Sequence, residues 1–531
     1  MSKIYGFYAG GHHASGSLII DGEIISCVEE ERITRVKSGD AYESNPNLSR
    51  LEIEKNTGVL VSDSDHVIFA EPCPTEFARN FIQKKFDKVP HHHSHCYAAY
   101  FTSGMEGKVM TISSDGGGES SVGKVFLCED GKIDMVSKNL FSLSASISAL
   151  WAHSCEGIMG YRPNGIPIWR MMKDEGKIMG MAPDGKFDPK IYKMLKTILD
   201  YHDLRFYPAF THERARGLFD SMRDWGYFDT QEKKQNYSFT LQKFTEDLFL
   251  QYLDDLHKRF PEYRKLCFAG GLFANVKLNQ KINQLDWVEE IYILPCMGDE
   301  GLSLGAAIYK AVELGEWKKP KKFKNLFYGT RYTDHEIQLI SENYSLDRNL
   351  YNPKELAKDL NDGMIIGWFQ DGFEFGPRAL GARSILVRPT DKETHAELNR
   401  RLNRNDIMPF APAVLSEFFD DIFLPTKSKY TAEFMTLCYD TKEEWIPKIT
   451  AVIQKSDKTA RPQVVNRDSN PKFWEILNEY HTVSGIPLLL NTSFNIHNEP
   501  IINHPRFAFR SLVDNVVDKL VLGNYVYTNK F

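Results

Sequence analysis

A chain of 531 residues with 42% hydrophobic content is long enough for two or more cored domains. Its 65 basic and 71 acidic residues leave a formal net charge of -6, which excludes an overall basic field of the kind that draws nucleic acid. Eight scattered cysteines form no Cys-x-x-Cys pair, so neither a zinc ribbon nor a disulfide framework is signalled. No apolar run approaches the about 20 residues that cross a bilayer, and the N-terminus has no signal-peptide core. The expectation is a soluble cytoplasmic protein with no membrane partner, monomeric or a small homo-oligomer.

Residues 3–29 read as a strand, a glycine–histidine turn and a hairpin. Ile4 to Tyr8 is apolar, Gly10-Gly11-His12-His13 breaks the run, and two apolar stretches then flank Asp21-Gly22. Next comes His91-His92-His93-Ser94-His95. If it is helical, His91 and His95 stand one turn apart on one face, the spacing at which two imidazoles share a metal ion. Taken alone, such a pair is more often surface or core than ligand. The strand, turn and hairpin recur at 109–127, with Asp115-Gly116-Gly117-Gly118-Glu119 at the turn. Glycines there let backbone N–H groups approach a phosphate, although an ordinary hairpin uses them too. Two copies of the pattern predict a duplicated α/β unit with a nucleotide cleft between its halves.

Residues 236–260 predict a long amphipathic helix. Leu266 to Ala269 is a short buried strand, and Gly270-Gly271 opens the next helix, which carries Asn275. Ile291 to Leu294 is another strand, followed by Gly298-Asp299-Glu300-Gly301 and a helix through Ala307. Both glycine turns stand at strand-to-helix junctions, where N–H donors face anions. Lys318-Lys319-Pro320-Lys321-Lys322 is the linker candidate. A new α/β pattern starts near 345. It contains a strand at Met364 to Trp368, a dense loop from Phe375 to Ser384, and Leu488 to Asn495 near the end.

These segments together resemble the O-carbamoyltransferase family of nodulation-factor and antibiotic biosynthesis. The matching pieces are His12 to Ser15, Glu29 to Lys37, His91 to His95, Asp115 to Glu119, Glu175 to Gly180, Gly270 to Asn275 and Gly298 to Gly301. Phe375 to Ser384, Pro409 to Pro412 and Asn491 to Asn495 continue them in the same order. The resemblance implies an α/β protein. A duplicated actin/Hsp70-like (Kae1-like) domain is expected at 1–325 and a smaller α/β YrdC-like domain at 345–531. It also implies two half-reactions. Carbamoyl phosphate and ATP with Mg2+ give carbamoyl adenylate and pyrophosphate in the C-terminal domain. The carbamoyl group then passes to an acceptor hydroxyl in the N-terminal domain, on a small molecule, sugar, nucleoside or nucleotide.

By resemblance His91, His95 and Asp299 match metal ligands, with Asp115 near or in the same shell. Fe2+ is the family-like ion, and Zn2+ or Mn2+ suits the same donors. Gly116, Gly117, Gly118, Gly270 and Gly271 would meet phosphate and adenosine, and Asn275 either faces the nucleotide or caps a helix. His12 is the candidate base for the acceptor hydroxyl, because imidazole titrates near working pH. Lys177 binds phosphate, supports the acceptor pocket, or is a surface lysine. Arg378 and Arg383 suit bidentate phosphate recognition; structural ion pairs are the bland alternative. Ser384 shares their loop, Ser493 and Asn495 match a Ser-x-Asn nucleotide element, and Arg404 matches the arginine of Lys-x-Arg. Three positions depart from the pattern. Leu402 stands for that lysine, Met408 for an arginine, and Lys455 for a histidine near Asp457-Lys458-Thr459-Ala460-Arg461, where Lys458 replaces glycine. Arg400, Arg401 or Lys455 could substitute. Competing readings are a tRNA threonylcarbamoyladenosine-type transferase and a non-catalytic ATP-binding member of the superfamily. The acceptor cannot be read from loops such as 139–175 and 205–235, although their aromatics, among them Tyr161, Trp169 and Phe210, could stack on a sugar or base.

Overall fold

The computed structural model describes every residue except 1, 11, 39–44, 74, 119–120, 137–145, 160–173, 208–211, 405–408, 426 and 531. Glu119, Tyr161, Trp169, Phe210 and Met408 therefore lie outside the described residues. The chain forms two compact units. The first is Met1–Ile24, Ser38–Asn47 and Leu60–Lys322, and the second is Ile25–Lys37, Leu48–Val59 and Phe323–Phe531. The lysine-rich stretch contains the change of unit at Lys322. Two short N-terminal segments, which a division at 325 and 345 does not include, go with the second unit.

The first unit is built on two five-stranded sheets. One contains β1 (Lys3–Tyr8), β2 (Ser15–Ile20), β3 (Glu23–Glu29, of which only Glu23 and Ile24 fall in this unit), β4 (His66–Ala70) and β5 (Asp87–Val89), in the order β3-β2-β1-β4-β5. The other contains β6 (Lys108–Ser114), β7 (Gly123–Glu129), β8 (Lys132–Met135), β9 (Lys265–Ala269) and β10 (Glu290–Ile293), in the order β10-β9-β6-β7-β8. In each sheet the first strand runs antiparallel to the second and parallel to the fourth. The repeated order and strand sense make this the duplicated actin/Hsp70-like architecture that the recurring strand–turn–hairpin pattern predicts.

Two helices fill the space behind these strands. α1 (His91–Ser103) begins after Pro90 and ends at Gly104, whose φ of 67° is the left-handed cap that stops it. It is almost entirely buried, in keeping with a sequence that has no Asp, Glu, Lys or Arg and no strongly polar face. Three further helices of this unit are α2 (Glu175–Met181), α3 (Gln231–Arg259) and α4 (Val276–Asn283). α3 starts at Thr230, whose hydroxyl caps the N–H of Lys233. α5 (Leu302–Glu313) lies against α1 and β1. Close approach explains two glycines: a Cβ on Gly305 would sit 2.0 Å from the Ser94 carbonyl oxygen, and one on Gly6 2.1 Å from that of Ser303.

The second unit holds an eight-stranded sheet of β11 (Leu346–Leu350), β12 (Ile366–Phe369), β13 (Arg383–Val387), β14 (Ala411–Leu415), β15 (Gln463–Val465), β16 (Leu488–Ser493), β17 (Lys519–Leu522) and β18 (Tyr525–Asn529), ordered β11-β18-β17-β12-β13-β16-β14-β15. Helices α6 (Pro353–Asn361) and α7 (Pro471–Ser484) cover it, and Leu356, Trp368, Phe473, Leu477 and Leu489 share one core cluster. Among the described residues no helix is long and apolar enough to cross a membrane.

Candidate active site

α1 presents His91 and His95 one turn apart, with ring centroids 4.8 Å from each other. The end of β6 delivers Asp115, and the turn that leads into α5 delivers Asp299. One donor atom from each of the four lies within 4.8 Å of the other three. Nε2 of His95 is 3.2 Å from Oδ2 of Asp115 and 3.7 Å from Oδ1 of Asp299; Nε2 of His91 is 3.9 and 3.6 Å from the same atoms. Donors around 2.1 Å from a tetrahedral ion stand about 3.4 Å apart, so these separations fit one cation. Nε2 of His91 is buried without a hydrogen-bond partner, while Nδ1 lies 3.1 Å from the Glu71 carbonyl oxygen. That second contact favours a proton on Nδ1 and leaves a lone pair on Nε2, as ligating histidines require.

The surroundings of this quartet are tightly constrained. His92 is fully buried and bridges Ser113 Oγ and the Ser121 carbonyl oxygen, at 3.0 and 2.8 Å, so it anchors the loop after β6. His93 packs on Phe126. In the loop itself the Gly116 N–H donates to Asp115 Oδ1 and the Gly118 N–H to the Ser121 carbonyl. Gly270 has a φ of 104°, and a Cβ there would lie 2.2 Å from the Ser114 carbonyl oxygen; one on Gly271 would lie 3.2 Å from Asp115 Oδ1. β6 and β9 are parallel neighbours, and this pairing brings the two glycine turns together. His12 also arrives here, with Nδ1 3.8 Å from Asp299 Oδ2 and 2.7 Å from Nδ1 of His13. Two further expected residues have partners of their own. Asn275 caps α4 through the Leu278 N–H and pairs with Gln242, and Lys177 holds Asp174 at 2.6 Å.

In the second unit the Phe375-to-Ser384 loop is tied by carboxylates. Oε1 of the fully buried Glu374 accepts the N–H groups of Leu380, Ala382 and Arg383 at 2.8, 2.8 and 3.0 Å. Glu29 accepts the Gly376 N–H at 2.5 Å, and Arg32 donates to the Gly376 carbonyl at 2.5 Å. Arg378 is half-buried within this loop. Arg383, expected to meet phosphate, is fully buried instead. Its guanidinium donates to the carbonyls of Gln370, Asp371, Ala382 and Thr330 and lies 3.6 Å above the Phe369 ring. It is the first residue of β13, where alternation turns it inward. Ser384 accepts the Gly381 N–H and faces Ser493 across β13 and β16. Asn495 donates to the carbonyls of Ile496 and Glu499, and Arg404 lies over Phe410. Leu402 is buried at the end of a helix; Arg400 and Arg401 are paired with Glu397, and Arg401 also with Asp518. Lys458, in the glycine position, adopts a φ of 58°.

The family profile for the carbamoyltransferase N-terminus matches residues 75–308, and that for the C-terminus matches residues 357–529. The chain belongs to the carbamoyltransferase family. An uncharacterized protein of Methanocaldococcus jannaschii is 31% identical over 97% of this chain and 98% of its own length. Nodulation protein NolNO of Sinorhizobium fredii is 28% identical over 97% of this chain and 78% of its own. Nodulation protein NolO of Bradyrhizobium diazoefficiens is 29% identical over 82% and 78%. Among solved structures, full-length HypF in its phosphate- and nucleotide-bound form covers 60% of this chain and 56% of its own at 14% identity, with a TM-score of 0.39, too partial a likeness to argue from.

The four residues of the quartet in this carbamoyltransferase strongly shift one another's protonation. Burial opposes ionisation of Asp115, yet His91 and His95 hold it well below the usual carboxylate range. Asp299 is lowered as well: burial and Asp115 oppose its charge, and His91, His95 and His12 outweigh them. Burial alone would lower His95, but its bonds to Asp115 and Asp299 carry it up to about 9. His95 is therefore held as an imidazolium between the two carboxylates at neutral pH, and a dication bound there would have to displace that proton. Burial lowers His12, so it is neutral and able to accept a proton near pH 7. Two neighbours of Asp299 were not singled out in the sequence. Tyr8 donates its hydroxyl to Asp299 Oδ2 at 2.6 Å, and Glu300, buried beside it in sequence, accepts the Gly298 N–H at 3.1 Å. Tyr8 could be read only as the last apolar residue of a strand.

Proposed function

We propose that this carbamoyltransferase is ATP-dependent and moves the carbamoyl group of carbamoyl phosphate, by way of carbamoyl adenylate, to a hydroxyl of a small molecule, sugar or nucleoside. The observation that carries this reading is the convergence of His91, His95, Asp115 and Asp299 beside His12 and two glycine turns. Fe2+ is the proposed ion of this Kae1-like unit, with Zn2+ and Mn2+ fitting the same donors. In the first half-reaction a YrdC-like second unit takes carbamoyl phosphate, Mg2+ and ATP. Carbamoyl adenylate forms, one water is consumed, and pyrophosphate and inorganic phosphate leave. Arg378, in the loop held by Glu374, Glu29 and Arg32, is the proposed phosphate contact.

In the second half-reaction the acceptor oxygen attacks the carbamoyl carbon in the first unit. Its proton passes to Nε2 of His12, whose Nδ1 is engaged by His13, and AMP leaves. A cation held by the quartet supplies positive charge against the adenylate phosphate. The N–H groups of Gly117 and Gly271 are the proposed donors to the same phosphate, since those of Gly116 and Gly118 are already bonded. Lys177, fixed by Asp174, supports the acceptor side. All eight cysteines are buried free thiols, which suits a reducing cytoplasm.

Pyrophosphate release tests the reading. It is expected only with carbamoyl phosphate and ATP together. Release that instead depends on threonine and bicarbonate would move the protein to the threonylcarbamoyladenosine class.

A further inference from the structure

β1 ends at Tyr8, whose side chain is 3% exposed. Its hydroxyl lies 2.6 Å from Oδ2 of Asp299. A phenol is a donor at neutral pH and a carboxylate only accepts, so the bond runs from Tyr8 to Asp299. The other oxygen, Oδ1, is the one that faces Nε2 of His91 and of His95, at 3.6 and 3.7 Å. The two oxygens of one carboxylate thus have different neighbours. The terminal torsion of an aspartate is broad and two-fold, and an untethered carboxylate turns freely between monodentate and bidentate poses. His12 Nδ1, another polar atom near Oδ2, stands at 3.8 Å, beyond hydrogen-bond reach. Tyr8 is itself confined. Its ring meets the His91 ring edge-on with centroids 6.3 Å apart, and a Cβ on Gly10 would lie 2.7 Å from its hydroxyl.

We propose that Tyr8 is a positioning residue for the metal-binding carboxylate: its hydroxyl pins Oδ2 of Asp299 and leaves Oδ1 to the cation. The inference rests on reading the quartet as a metal site. Tyr8 makes no contact with the ion in this scheme. It acts through Asp299, as outer-shell partners of metal ligands do, and loss of such a partner costs 10- to 100-fold in metal affinity.

The test is a cobalt(II) titration of the full chain, followed by calorimetry and by the visible ligand-field bands, with folding of each variant checked by thermal melting. Tyr8→Phe removes one hydroxyl and is expected to raise the cobalt Kd by about 10- to 100-fold with a shift of the bands. Gly10→Ala disturbs the same bond without deleting the hydroxyl, its methyl lying 2.7 Å from the Tyr8 hydroxyl and also 2.9 Å from the Pro72 carbonyl oxygen. The double variant should bind no more weakly than the weaker single one, since both remove the same bond. A Tyr8→Phe protein that binds cobalt as tightly as the parent overturns the inference and leaves the metal site standing. A parent protein that binds no better than His91→Ala overturns the metal reading and this inference together.

Discussion

Glu374 offers a quantitative test of how the second unit builds its loop. Its Oε1 accepts three backbone N–H groups, from Leu380, Ala382 and Arg383, and Oε2 is buried without a hydrogen-bond partner. Glu374→Gln keeps the shape and removes the charge. Each bond then falls from charge-assisted to neutral strength, a loss of about 1 kcal/mol apiece. The amide NH2 takes the place of Oε2 and is left unsatisfied, which costs about 1–3 kcal/mol more. Arg383, already lowered to about 10 by burial, loses the carboxylate that most favours its charge. The sum is about 4–6 kcal/mol. For a unit of this size each kcal/mol is worth about 2–4 °C, so the lowest transition in scanning calorimetry should fall by about 10–20 °C. Pyrophosphate release should fall with it, and cobalt binding by the quartet should not change. A drop under about 3 °C would refute the view that this one carboxylate organises the loop.

Three further outcomes are expected. His91→Ala and Asp299→Ala should each abolish carbamoyl transfer and metal binding while pyrophosphate release persists, measured by mass spectrometry of the acceptor and by phosphate assay. Glu175 is raised to about 7 by burial, so the folded state binds its proton more tightly than the unfolded chain does. Its contribution to stability is present below about pH 4.5 and is lost as pH rises through 7; Glu175→Gln should therefore raise the melting temperature at pH 8 and do little at pH 4.5. All eight cysteines are buried, and burial pushes Cys73 up to about 11, so iodoacetamide at pH 8 should label the native protein only after urea is added.

Periodic and local features were legible in the sequence, and contacts between distant segments were not. The strand–turn–hairpin pattern at 3–29 and 109–127 is a local code, and both sheets of the first unit follow from it. The His-x-x-x-His spacing places two donors wherever the segment is helical. Asp299 came forward only through the family resemblance, because nothing near it announces a partner at Asp115. Tyr8 was hidden because an apolar strand end looks the same whether its hydroxyl meets water or a carboxylate. The charged run from Glu29 to Lys37 read as part of the N-terminal domain. It goes with the second unit because Glu29 and Arg32 hold Gly376, and Arg35 donates to Pro500 and Ile501. Arg378 and Arg383 were equivalent as letters in one loop; the start of β13 turns the second toward carbonyls and a ring.

The most direct measurement is anomalous diffraction from crystals grown with the enzyme's native metal or with cobalt. The account predicts one strong peak bounded by Nε2 of His91, Nε2 of His95, Oδ2 of Asp115 and Oδ1 of Asp299. A peak elsewhere, or none at full cobalt saturation, would contradict it.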